Sequence, residues 1–108
     1  MQLNLLVLRC KNIEKSKNFY EKLGLKFIKE QHGKGAVHYA TYVGEVILEL
    51  YPLKDGFKIE QSRLGFTVAK NFLVNRKDDI VSKYEFDGQR VFVVQDPDGR
   101  KVECKHVK

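Results

Sequence analysis

Asn12-Ile-Glu-Lys-Ser-Lys-Asn-Phe-Tyr-Glu-Lys-Leu-Gly24 carries the start, the buried stripe and the stop of one helix. The Asn12 carboxamide can accept from the free N–H groups of a first turn, which makes it an N-cap. Ile13, Ser16, Phe19, Tyr20 and Leu23 then recur at helical spacing, one face's worth of apolar contact. Gly24 follows where a chain leaves a helix with positive φ. On the N-terminal side, Leu3 to Cys10 is apolar on both alternating faces, the pattern of a strand covered on both sides. On the C-terminal side, Leu25 to Glu30, Val37 to Val43 and Val46 to Tyr51 read as three strands. Gly33 and Gly35 flank one turn, Gly44-Glu45 makes another, and Pro52 ends the last strand by withholding a donor. The unit is strand, helix, then three strands.

Residues 54–61 are polar, contain Gly56, and serve as the connector. Beyond them the pattern begins again. Leu64, Phe66 and Val68 alternate with Gly65 and Thr67, giving a strand. Asn75 as a cap, Asp78 and Asp79 in a first turn, and the stripe Ile80, Val81 and Tyr84 predict a second helix. Asp87-Gly88 signals a hairpin, Arg90 to Gln95 a strand, Pro97-Asp98-Gly99 a turn, and Lys101 to Val107 a closing strand. The chain is therefore two copies of a unit of about 50 residues, a repeat period that defines an architecture. The modules run about 1–53 and 62–108 within a single domain of 108 residues. The second is shorter, with only Glu85-Phe86 left for the strand that Leu25 to Glu30 supplies in the first.

Composition narrows the function classes. Twenty Lys and Arg against fourteen Asp and Glu give a net charge of +6. The positive residues are scattered and have neither an Arg cluster nor an aromatic platform beside them, so they describe a solvated surface favouring anions and no nucleic-acid partner. The longest apolar run, Leu5 to Leu8, is far below the roughly 20 residues of a membrane span. It also lacks the flanks of a signal peptide. Cys10 and Cys104 are too few for a disulfide scaffold and have no metal spacing. They are expected to be half-buried thiols in a reducing cytoplasm.

Asn12 to Phe27 resembles the first helix and turn of the glyoxalase/bleomycin-resistance/dioxygenase superfamily, the vicinal oxygen chelate fold. Asp96-Pro-Asp-Gly-Arg-Lys-Val-Glu103 resembles that family's closing hairpin. The resemblance implies an α+β fold of two βαβββ modules forming a cupped, barrel-like mixed sheet, usually paired as a homodimer. It also implies a divalent ion on the concave face, with one ligand each from the first, fourth, fifth and eighth strands, usually His or Glu. Those positions here are Leu5, Glu49, Arg63 and Glu103. Leu5 has no lone pair to give, and the Arg63 guanidinium places a positive charge where a cation would sit. The metal positions are thus degenerate, and neither metal nor other cofactor is expected. His32 lies beside the glycine turn, His38 on a strand, and His106 on the opposite face from Glu103. All three read as surface or satisfied polar residues.

Glu49, Arg63 and Glu103 are left as a polar trio, with Arg63 suited to a carboxylate or phosphate in forked geometry. Strand alternation sets Ile47 and Tyr51 beside Glu49, Gly65 and Thr67 beside Arg63, and Lys101 and Lys105 beside Glu103. Leu5 and Val7 add apolar wall. Such a cup suits a small molecule, and the expected partners are an anionic ligand and a second copy of the chain. The favoured reading is a metal-free small-molecule binder. The alternative is a glyoxalase-type metal-dependent lyase or isomerase, or a dioxygenase-like enzyme, in which Glu49 and Glu103 are the candidate catalytic groups. Whether any reaction is catalysed is left open by the sequence.

Overall fold

The computed structural model describes residues 1–72 and 79–107. Its first module runs β1 (Leu5–Cys10), α1 (Ile13–Glu21), β2 (Ile28–Glu30), β3 (His38–Val43) and β4 (Val46–Pro52). The second contributes β5 (Leu64–Val68), β6 (Ile80–Phe86), β7 (Gln89–Gln95) and β8 (Lys101–His106). Each module builds one four-stranded mixed sheet, in the orders β1-β4-β3-β2 and β5-β8-β7-β6. The first strand of each lies parallel to the last, with Leu5 opposite Ile47 and Leu64 opposite Val102. The remaining pairs are antiparallel. The two sheets do not close into a barrel within one chain.

The helix forms for the reasons its sequence gives. Asn12 Oδ1 accepts from the Lys15 N–H at 3.1 Å, and Gly24 leaves the helix at φ +114°. A side chain at Gly24 would be doubly opposed, because an added Cβ would lie 2.7 Å from the Phe72 ring. Phe19, Tyr20 and Leu23 seal one core with Leu8, Leu48 and Leu50 of the first sheet and Val68, Val94, Val102 and Cys104 of the second. The single described helix is thus a wedge shared by both modules.

A buried polar knot fastens that wedge. Asp96 Oδ2 accepts from the Tyr20 hydroxyl at 2.7 Å and from Arg100 Nη1 at 3.1 Å, while its Oδ1 accepts from the backbone N–H groups of Asp98 and Arg100, each at 2.9 Å. The Arg100 side chain is 1% exposed, yet its other donors reach the carbonyls of Glu60 and Arg9. One guanidinium therefore joins β1, the connector and the β7–β8 turn, with every charge and donor partnered as burial demands.

Four sequence expectations are corrected. Ile80 to Phe86 is a strand rather than a helix: seven residues paired antiparallel to β7 through the Asp87-Gly88 hairpin. The second module thus has a full-length strand where Glu85-Phe86 alone was expected. The expected cap Asn75 and the first-turn Asp78 lie outside the described residues. The β-branched pair Ile80-Val81 and the alternation Ser82, Tyr84, Phe86 outweigh a helical stripe built on three residues. β1 is covered on one face only within the chain, leaving Leu3 65% and Leu5 47% exposed. Cys10 and Cys104 are fully buried, not half-buried. Finally, β2 spans only Ile28–Glu30.

Candidate functional site

Strand registry decides which side chains share the open faces. In the first sheet Val7 sits opposite Glu49, Arg9 opposite Tyr51, and Ala40 opposite Glu49. Leu5, Val7, Ile47, Glu49 and Tyr51 therefore look away from α1, on the face where Glu30 and His38 are direct cross-strand partners. In the second sheet Gly65 sits opposite Glu103, Thr67 opposite Lys105, and Val91 opposite Lys105. This face carries Arg63, Thr67, Lys101, Glu103 and Lys105.

The expected trio divides between the two faces. Arg63 Nη2 meets Glu103 Oε1 at 3.2 Å, with the guanidinium half exposed. Glu49 pairs instead with His38, whose Nε2 lies 3.5 Å from Glu49 Oε2. Lys101 and Lys105 flank Glu103 on β8 and remain exposed. Beside them a depression of about 280 Å³ is lined by Phe66, Tyr84, Phe86, Val91, Glu103 and Lys105. Tyr84 and Phe86 were not anticipated as wall residues, because Tyr84 read as part of a helix and Phe86 as part of a strand only two residues long. Their period-two alternation ahead of Asp87-Gly88 was the available signal.

Of the two roles expected for the histidines, surface or satisfied polar residue, His38 takes the buried polar one. Its side chain is 1% exposed and stacks on Tyr51, with ring centres 4.1 Å apart and planes 10° from parallel. The Arg9 guanidinium lies 4.9 Å from the same tyrosine ring. Burial and then the neighbouring Glu49 charge push the Tyr51 phenol above its ordinary range, so its hydroxyl keeps the proton as a donor, 3.3 Å from His38 Nε2. Glu30 and His32 complete the group, their closest atoms 3.9 Å apart. His106 does turn away from Glu103, packing its ring 5.5 Å from that of Phe92.

The donor set at the four superfamily positions does not fit a metal ion. Leu5 offers no ligand atom, Arg63 is a cation bonded to Glu103, and Glu49 is directed to His38. No step of chemistry is derived through an ion there.

Comparison with known proteins agrees with the architecture. The oxidase ChaP-H2 superposes with a TM-score of 0.75 at 18% identity, covering 100% of this chain and 94% of its own. The integron cassette protein VCH_CASS1, from the mobile metagenome of V. Cholerae, gives 0.72 at 25% identity, with coverage of 100% and 96%. A lactoylglutathione lyase from Agrobacterium tumefaciens gives 0.66 at 14% identity, with coverage of 97% and 92%. No curated protein matches the sequence. No helix among the described residues is long and apolar enough to cross a membrane. The family model for the Glyoxalase/Bleomycin resistance protein/Dioxygenase superfamily matches residues 2–85, more than half of the chain. With two four-stranded mixed sheets of matching strand order behind that match, the chain belongs to this superfamily.

Proposed function

We propose that this superfamily member is a small-molecule-binding protein whose ligand is anionic and is oriented by Arg63, with no ion at the positions of Leu5, Glu49, Arg63 and Glu103. The observation that carries this reading is the state of Arg63 itself. It is half exposed on an open sheet face and held by one carboxylate at 3.2 Å, so part of its donor fork faces solvent. Glu103 neutralises one charge, while Lys101 and Lys105 restore a positive balance on the same strand face, their flexible stems able to reach the rim. Tyr84, Phe86 and Val91 offer apolar wall for the body of a ligand.

The same reading includes a homodimer. Leu3, Leu5, Val7, Ile28 and Tyr42 are exposed on the first module, an apolar face of the kind that marks an interaction site. Covering it with a second copy would bring the Glu49 face of one chain toward the Arg63 face of the other, so that ligand and dimer share one cup. Light scattering at micromolar concentration is expected to give twice the chain mass, and a monomer would count against it.

Calorimetry with a panel of mono- and dicarboxylates and phosphate esters tests the ligand. Arg63→Leu is expected to weaken a found ligand by about 2–5 kcal/mol if the pair is desolvated. Thermal melts run in parallel separate lost binding from lost folding. Unchanged affinity in Arg63→Leu, or no binder in the panel, would reduce Arg63–Glu103 to a structural ion pair.

A further inference from the structure

We propose that Glu30, His32 and His38 bind a divalent transition-metal ion of the zinc class, with the Glu49 carboxylate adding negative charge beside His38 from β4. This site lies one strand away from the superfamily's ion position. Its three ligands are none of Leu5, Glu49, Arg63 and Glu103, so it stands or falls apart from the anionic-ligand reading.

The chain assembles the group by pairing rather than by a local motif. Glu30 and His38 are opposite residues of the β2–β3 ladder, so their side chains rise together on one face. His32 follows in the connecting loop, which folds back through a Gly35 N–H bond to the His32 carbonyl at 3.0 Å and a Gln31 Nε2 bond to the Gly35 carbonyl at 2.9 Å. One ligand atom from each of Glu30, His32 and His38 lies within 4.8 Å of the others.

Hydrogen bonding leaves the middle of this group short of positive charge. His38 Nδ1 lies 3.1 Å from the Ala36 carbonyl. A carbonyl only accepts, so Nδ1 carries the proton, and in the neutral ring Nε2 is a bare lone pair. That lone pair faces Glu30 Oε1 at 3.3 Å and Glu49 Oε2 at 3.5 Å. Three acceptors therefore converge on a spot where the Tyr51 hydroxyl is the one donor within reach of Nε2 among the described residues. A cation is what reconciles them. An imidazole whose far nitrogen donates to a backbone carbonyl is also the arrangement that fixes metal-binding histidines.

The spacings suit a metal better than a proton. Ligand atoms about 2.1 Å from a tetrahedral zinc ion stand about 3.4 Å apart. Here the contacts are 3.3 Å for His38–Glu30 and 3.9 Å for His32–Glu30, and all three ligand atoms lie within 4.8 Å of one another. A proton on Nε2 would serve the carboxylates but would give His32 nothing to do. Access is graded as a site needs: the His38 side chain is buried in the floor, while His32 is 74% exposed at the mouth. Two imidazoles with carboxylates favour zinc, cobalt or nickel over magnesium or calcium.

The test is titration of the full chain, freed of any affinity tag, with zinc chloride by calorimetry and with cobalt chloride by visible absorption. One equivalent is expected to bind, and bound cobalt is expected to give the intense visible bands of a tetrahedral ion. His32→Asn and Glu30→Gln should each weaken zinc by at least about tenfold. Because His32 is exposed, its variant should melt like the parent without metal, which keeps the test clear of folding. Glu103→Gln should leave zinc affinity unchanged. His38→Gln, with its fold checked by circular dichroism, should abolish binding. Absence of saturable binding would overturn the proposal, as would binding indifferent to both His32→Asn and Glu30→Gln. Loss of the ion in Glu103→Gln would also overturn it and place the metal at the superfamily position, refuting the metal-free reading.

Discussion

Replacing Asp96 by alanine removes the anion on which the polar knot depends. Arg100, 1% exposed, would keep its charge in the core with Asp98 Oδ2, 3.5 Å away, as its one remaining ionic neighbour among the described residues. The Tyr20 hydroxyl and two backbone N–H groups would lose their acceptor in the same step. Breaking a buried pair on one side costs about 3–5 kcal/mol, against a total stability of about 5–15 kcal/mol for a domain. For a domain of this size each kcal/mol moves the melting temperature by about 4 °C or more, so a fall of at least about 12 °C is expected. The assay is urea unfolding followed by circular dichroism, with calorimetric melting beside it. Asp96→Ala/Arg100→Met removes both charges and should be more stable than Asp96→Ala alone, because no uncompensated ion is left behind. A loss under about 1 kcal/mol for Asp96→Ala, or a double variant no better than the single, would refute the view that the guanidinium depends on Asp96.

Gly24→Ala should cost about 1–2 kcal/mol for the backbone conformation alone, and more for the Phe72 contact; Phe72→Leu should recover only the contact portion, as read by denaturant midpoints. Burial pushes the Cys10 thiol above its ordinary range, so neither Cys10 nor Cys104 should react with a thiol reagent at pH 8 until the chain unfolds; fast labelling of native protein would contradict their burial. Tyr20 is raised by burial and by the Asp96 charge, and Tyr51 by burial and then Glu49. A raised folded-state value adds stability that is complete below the unfolded phenol's pH of about 10 and is lost as pH climbs through the folded value. Unfolding midpoints should therefore hold level from pH 7 to about 9 and fall above about 10, and a rise at alkaline pH would show the sign to be wrong.

The first module was legible because its signals are local. Asn12, the stripe to Leu23 and Gly24 each act within a few residues, and the helix they define is the one observed. Residues 80–84 were misread because Ile80, Val81 and Tyr84 satisfy a helical stripe as well as a strand. The pairing with β7 that decides between them is not local. Of the polar trio, alternation placed every residue on the face it occupies, yet it could not say which partner each would choose. Glu49 turns to His38 because β3 lies between β4 and β2 and carries the histidine against it. The Glu30–His32–His38 cluster was hidden for a related reason. Its members are unremarkable in sequence, and only the β2–β3 register makes neighbours of Glu30 and His38.

Sheet order has a consequence for how the chain is made. β8 is the final strand in sequence but an interior strand of its sheet, flanked by β5 and β7. Among the described residues β5 has no other ladder partner, so until Lys101–His106 arrives it remains unzipped. β4 plays the equivalent part for β1, but it arrives much earlier. During synthesis the first sheet can be complete while the second still waits for Lys101–His106 to emerge, an order set by topology rather than by strand strength. Deleting β8 would therefore undo two ladders at once and free β5 as a sticky edge.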